Sequence, residues 1–364
     1  MTNVRCLTGL QLFWTMLTFT LGQAMFLTIA PAVAIAGNDA WLSLLLNAAV
    51  SAGLVFLTAD TARHCQGRTL IGYAQCVLGP VIGRAIGAAY VLLWVVDASV
   101  IARQTADFMT ATEYRQTPHW VFIFSLALVV IGLLHRRIFA SLGSMALLIG
   151  PSVLILLIAT LAIAATNSHW QRLLPVATLH GVGRIAQGAL PAAMNTGQAV
   201  VAGMLVPFAR HPLRATSAVV LGVAVAGVVL VFLAVQVVSV FGPTLPPMLW
   251  NPLFDLTRFI DMRTFVENME SSVLVFWLVS SFFRLAVFLG VAVYALTQLV
   301  PRWPVSVTLW GTGAVVAALA FVPGNILYSS ELYQRFLYES GIGPALLMGV
   351  PLVLWVGARW RALR

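Results

Sequence analysis

Lysine is missing from this 364-residue chain: all 20 of its basic residues are arginine. That absence excludes a phosphate-cradling GxxxxGK[ST] loop and any chemistry that runs through a lysine Schiff base. Charge of either sign is scarce, 9% of residues where an ordinary soluble domain carries about 25%. So few charges do not solvate a globule of this size, which excludes a soluble enzyme. With 60% hydrophobic residues, disorder is excluded as well. The three cysteines, Cys6, Cys65 and Cys76, are odd in number and lack metal-ligand spacing, so they read as reduced structural thiols. Neither an HExxH pair nor a GxSxG elbow occurs. No catalytic residue, metal or cofactor is therefore expected. The net charge of +9 is carried by arginines scattered between apolar runs, a pattern that suits anionic lipid headgroups rather than nucleic acid.

What the chain has in abundance is long apolar runs. They predict an all-α integral membrane protein with spans near 9–36, 39–60, 81–108, 119–134, 138–165, 188–208, 213–240, 271–298, 304–322 and 341–358. Ten helices of about 20 residues leave room only for short loops. The first run is too long for a signal peptide and has no basic cluster ahead of it. Connections on one side hold Arg5, Arg63, Arg68, Arg84, Arg136, Arg137, Arg210, Arg214, Arg302, Arg359, Arg361 and Arg364, with Asp60 as their only acid. Nine of the eleven acids fall on the other side. The arginine-rich side is the cytoplasmic one by the positive-inside rule, so both termini are cytoplasmic. Two stretches outside the spans, Leu253–Val266 and Leu327–Tyr338, mix aromatic and charged residues as interfacial helices do.

Two segments repeat. Thr20-Leu21-Gly22-Gln23-Ala24 and Asn195-Thr196-Gly197-Gln198-Ala199 each interrupt an apolar span, and each is followed by a proline, Pro31 and Pro207. Glycine and a polar amide within a span are costly unless the backbone unwinds and its freed groups find partners. Paired interruptions in two halves point to an inverted-repeat transporter fold with broken first and sixth helices. The halves are 1–187 and 188–364, five spans each, the second inverted. Close helix packing is the plainer account of such glycines. If the helices do break, their bared N–H groups suit a carboxylate and their bared carbonyls an ammonium. A zwitterionic amino acid carries both. Gln23, Asn195, Thr196 and Gln198 would add neutral hydrogen bonds beside Gly22, Ala24 and Gly197.

Charges inside the spans complete the candidate site. Asp97 lies deep in the third span and is open to three roles, meeting a ligand ammonium, binding a cation or carrying a proton, besides serving as a packing partner. Trp94 stands one turn from it. Arg284, in the eighth span, sits about 10 Å away in depth by helical rise, too far for a direct ion pair, and would supply a fixed positive charge in the place of a bound cation. Ser280 and Ser281, with Trp277, are candidates for the same wall. Arg103 and Asp107 read as a snorkelling pair near the outer end of the third span.

At these residues the chain resembles the spore germination permease family, the GerAB-like B subunits of nutrient germinant receptors, within the amino acid–polyamine–organocation superfamily. The resemblance is carried by Leu21-Gly22 and Pro31, Asp39-Ala40-Trp41-Leu42, Arg103 with Asp107-Phe108, Thr117-Pro118, Leu174-Pro175-Val176 and Gly197-Gln198. Its most specific stretch is Phe265-Val266-Glu267-Asn268-Met269-Glu270 ahead of Trp277. Asn268 stands where the family usually has Arg, Gln198 where many members have Glu, and Arg284 where Lys is common. The resemblance implies a LeuT-like fold and a receptor subunit in the inner membrane of a bacterial spore. Such a subunit recognises a small nutrient, most often an amino acid, and works with an A subunit and a lipoprotein C subunit. An amino acid transporter and a ligand-gated ion or water pathway are the alternatives.

Overall fold

The computed structural model describes residues 6–22, 28–65, 67–112, 114–176, 181–249, 251–258, 269–323, 335 and 340–362. Among them secondary structure is helical, apart from one parallel bridge between Leu7 and Ala209. Of the expected interfacial stretches, α11 (Pro252–Arg258) is described as a short helix. The rest of that stretch, and Leu327–Tyr338 apart from Arg335, lie outside the described residues, as do 265–268 of the most specific motif.

The first apolar run is two helices, α1 (Gly9–Leu21) and α2 (Ile29–Ala36). A capping box starts α1: the Thr8 hydroxyl accepts from the Gln11 backbone N–H, and the Gln11 side chain accepts from the Thr8 N–H. After α2 the chain turns at Gly37, whose φ of 57° lies in the left-handed region, into α3 (Ala40–His64). A short helix that the apolar runs did not mark, α4 (Leu70–Leu78), precedes α5 (Pro80–Thr112). Then follow α6 (His119–Leu134) and α7 (Ile138–Ala164).

The second half opens with α8 (Gly181–Gly197), which passes through a 3₁₀ segment, Gln198–Val201, into the single turn α9 (Ala202–Leu205) and a further 3₁₀ turn, Val206–Phe208. Unwinding was expected at Gly197. The coil instead tightens there and continues. The Ala202 N–H bonds back to the carbonyls of Ala199 and Val200, so this donor is satisfied within the segment, as burial away from water demands. Beyond it come α10 (Pro212–Phe241), α12 (Met269–Leu299) and α13 (Val305–Leu319). The last span begins with Ile342–Pro344 and a π turn, Ala345–Gly349, leading into α14 (Val350–Ala362).

Seven of these stretches are long and apolar enough to cross a membrane, and Gly9–Leu21, His119–Leu134 and Val305–Leu319 are shorter apolar helices. Burial sorts them. The window within Gly181–Phe208 is 89% buried and that in Leu274–Leu299 78%, against 28% for Ile138–Asn167. The interrupted helix and α12 thus form the interior, and much of α7 faces outward. Around them, α1 packs on α7, α10 and α12, α3 on α8 and α10, and α5 on α12.

Contacts between distant segments define two ends. At one, the Cys6 and Leu7 N–H groups donate to the Phe208 carbonyl, the Thr69 hydroxyl donates to Gln298, and Asp60 accepts from Trp355 and Arg359. These segments carry the arginine-rich connections. At the other, Asn38 donates to the Leu174 carbonyl and the His169 N–H to that of Ser239.

Candidate functional site

Gly22 ends α1, and its φ of −59° is one any residue adopts. Glycine is needed there for space. A Cβ on Gly22 would sit 2.8 Å from Cδ of Arg284 and 3.2 Å from both Cβ and the carbonyl oxygen of Ser280. The terminus of α1 therefore lies directly on α12. Arg284 places its guanidinium near the rings of Phe19 (5.5 Å) and Phe288 (5.7 Å), which themselves meet edge to face at 5.0 Å. Aromatic faces of this kind stabilise a desolvated cation.

From that cation a chain of hydrogen bonds crosses the interior. Nη2 of Arg284 donates to Oε1 of Gln198 at 2.9 Å, and Nε2 of Gln198 donates to Oδ1 of Asp97 at 3.2 Å. Asp97, Gln198 and Arg284 are all buried, at 2%, 1% and 7% exposure. An amide suits this place because it offers one acceptor and one donor in fixed register. It orders two opposite charges taken from α5 and α12 on a third helix. Depth along the helices alone separates Asp97 from Arg284. The tightened turn at Gln198 supplies the side chain that joins them.

Trp94 is fully buried, one turn from Asp97, and stacks on Tyr90 with ring centroids 5.4 Å apart. Tyr90 in turn donates to the Leu346 carbonyl, and Gly197 lies against Leu347, 3.4 Å from where its Cβ would be. The indole N–H of Trp94 and the hydroxyl of Ser280 have no hydrogen-bond partner among the described residues. Asn195 and Ser281 are buried as well. Gln23 and Ala24 lie outside the described residues.

Thr196 turns elsewhere. Its hydroxyl donates to Oδ1 of Asn47 at 2.8 Å and also meets Ser51, both on α3. The seam between α3 and α8 was legible only as Ser43, Asn47 and Ser51 recurring every fourth residue, one polar face along an apolar helix. Phe19 and Phe288 carried no such signal, being two of 20 phenylalanines.

Toward the other end, Arg103 and Asp107 are buried rather than snorkelling, 6% and 7% exposed. Nε of Arg103 lies 2.9 and 3.0 Å from the two carboxylate oxygens, and Nε2 of His119 lies 3.0 Å from Oδ1 of Asp107. Phe108, next to Asp107 in sequence, packs on Trp277 at 4.4 Å and on Phe254 at 5.3 Å.

Comparison with known proteins agrees with this architecture. The chain aligns with spore germination protein YndE of Bacillus subtilis (strain 168) at 23% identity, over 89% of this chain and 88% of that protein. Spore germination protein KB of the same organism aligns at 20% identity, over 79% of this chain and 77% of that protein. Among solved structures, Mhp1, a nucleobase-cation-symport-1 family transporter in a closed conformation with bromovinylhydantoin bound, superposes with a TM-score of 0.64. The match covers 98% of this chain and 93% of the transporter at 12% identity, so it shows a shared transporter fold and nothing of ligand. The model of the spore germination protein family, a family of spore permeases, matches residues 6–326, and the chain belongs to that family.

Proposed function

We propose that the chain is a germinant receptor B subunit that binds a small nutrient, an amino acid in the first instance, between its first and sixth spans. In this reading ten transmembrane helices form two five-helix repeats, 1–187 and 188–364. Both termini are cytoplasmic and the membrane is the spore inner membrane. An A subunit and a lipoprotein C subunit receive the signal when ligand shifts the equilibrium between two states.

The observation that carries the reading is the Asp97–Gln198–Arg284 chain. It presents a carboxylate and a guanidinium within reach of one amide side chain, beside the terminus of α1. A zwitterion matches that pair, its ammonium toward Asp97 and its carboxylate toward Arg284. The buried Trp94 and Ser280 donors, unsatisfied among the described residues, offer further bonds, since buried donors are seldom left without an acceptor. In this reading Gly22, Gly197, Asn195 and Ser281 belong to the same site, with Gln23 and Ala24 following Gly22 in sequence. Arg284 keeps its charge at any physiological pH. It therefore supplies a fixed cation at the C-terminal end of α1, where a helix dipole favours positive charge.

The test is calorimetry of the purified protein with the common L-amino acids, repeated for Asp97→Asn and Arg284→Met. Saturable binding of at least one amino acid, lost in both variants, is the expected result. Binding unchanged in both would remove the site. Deletion of the gene should blunt spore germination on that same amino acid.

A second reading, an amino acid transporter, draws support from the fold shared with Mhp1. Proteoliposomes separate the two: saturable uptake of the bound amino acid at many turnovers favours transport, and binding without uptake favours sensing.

A further inference from the structure

A cavity of about 410 Å³ opens at the arginine-rich end, where the segment before α1 crosses the end of the interrupted helix. Its inner wall is aromatic. Phe139 and Phe208 stack at 3.9 Å, and Tyr294 meets both edge to face at 5.0 and 5.1 Å. Its rim is cationic: Arg136 and Arg137 line it and are exposed, and no acid is among the lining residues. The side chains of Arg136, Arg137 and Arg210 have no hydrogen-bond or ion-pair partner among the described residues. Cys6 is also in the lining. Burial raises the thiol above its ordinary value, while a backbone hydrogen bond and then the charges of Arg210 and Arg137 oppose that rise. Guanidinium groups from two separate connections thus act on one point of the cavity.

Basic residues on this side are expected from topology alone, but topology does not place them around a cavity with an aromatic wall. Arg136 and Arg137 also stand directly before α7, whose N-terminus has no side-chain cap and no acid in its first turn. Two cations beside the positive end of a helix dipole are unfavourable by themselves, and an anion relieves them.

We propose that this cavity binds a phosphate-bearing amphiphile, its phosphate held by Arg136 and Arg137 and its apolar part laid on Phe139, Phe208 and Tyr294. Arginine forks match phosphate oxygens two at a time, and the volume is that of a small-molecule site. An anionic phospholipid such as phosphatidylglycerol and a soluble glycerol phosphate share this chemistry. The site is separate from the Asp97–Gln198–Arg284 chain and does not depend on the germinant reading.

The experiment uses the full chain taken up in mixed phosphatidylcholine–phosphatidylglycerol nanodiscs, with retained lipid read by native mass spectrometry. A parallel titration of detergent-purified protein uses glycerol 3-phosphate. Two variants probe the cavity: Arg136→Gln with Arg137→Gln, and Ala140→Trp, which fills the cavity and leaves its charge alone. An Arg63→Gln with Arg68→Gln variant makes the same charge change outside the lining. Retention of phosphatidylglycerol should fall about thirtyfold in the rim double variant, fall also in Ala140→Trp, and persist in the Arg63/Arg68 control. Glycerol 3-phosphate binding with that same dependence, in the absence of retained lipid, supports the site with the soluble source as its occupant. Equal losses in the control, or no loss in either cavity variant, would overturn the proposal.

Discussion

Gln198 accepts a 2.9 Å hydrogen bond from Arg284 with the same amide that donates to Asp97 at 3.2 Å. One neutral side chain on the interrupted helix therefore holds two buried charges from two other helices in register. The bond from the Arg284 guanidinium has a charged donor and contributes about 1.5–3 kcal/mol, and the bond to Asp97 contributes about 1 kcal/mol or more. Gln198→Leu removes both at once and sets an apolar side chain between Asp97 and Arg284. The expected outcome is a loss of about 3 kcal/mol or more of stability, read as a lowered midpoint in thermal unfolding in detergent. A variant that melts with the wild type would mean the amide is a bystander.

Gly22 and Gly197, a matched pair in sequence, are predicted to differ. A methyl at Gly22 collides with Cδ of Arg284 at 2.8 Å, and one at Gly197 makes an ordinary contact with Leu347 at 3.4 Å. Gly22→Ala should therefore displace Arg284, lower the melting midpoint and weaken ligand binding. Gly197→Ala should leave both nearly unchanged, and Gly197→Leu should be needed to match it. Equal effects of the two alanine variants in melting and calorimetry would contradict this asymmetry.

Much of this was legible in the sequence, and the limits have physical causes. Hydropathy finds helices because every lipid-facing residue must be apolar, and the Gly22 interruption shows as polar residues where lipid or core tolerates none. The state of the second interruption does not show. An unwound segment and a 3₁₀ segment call for the same small and polar residues, and only the backbone bonds of Gln198–Val201 distinguish them. Helical rise gives the depth of Asp97 and Arg284 but not the reach of a third side chain between them. Nor does rise say which face Thr196 presents: helical residues two positions apart point about 200° apart, which turns Thr196 to α3 while Gln198 faces α5 and α12. The short α4 carries too few apolar residues to stand out as a span.

Arg103 and Asp107 provide a test at the other end. Removing one partner of a buried pair strands the other charge at a cost of about 3–5 kcal/mol. Asp107→Ala is expected to approach that figure because Arg103 is only 6% exposed. His119→Ala should cost less than about 1 kcal/mol, as its side chain is 44% exposed and exposed pairs contribute little. Thermal unfolding of the two variants side by side gives the comparison, and a similar loss in both would show that His119 carries the pairing.

The seam between α3 and α8 separates scaffold from ligand contact. Thr196 spends its hydroxyl proton on Asn47 and the Ala192 carbonyl and also meets Ser51, which leaves it no donor to offer a ligand on the Asp97 side. Thr196→Val keeps the volume and removes the hydroxyl, leaving Asn47 Oδ1 with Ser51 as its remaining partner. A loss of about 1–2 kcal/mol in stability is expected, from one neutral bond and a partly unsatisfied acceptor. Ligand affinity measured by calorimetry should stay within about twofold of wild type, since that change is worth under 0.5 kcal/mol. Should affinity drop tenfold while the melting midpoint holds, Thr196 belongs to the binding wall, and the helix must present it there in a state different from the one seen.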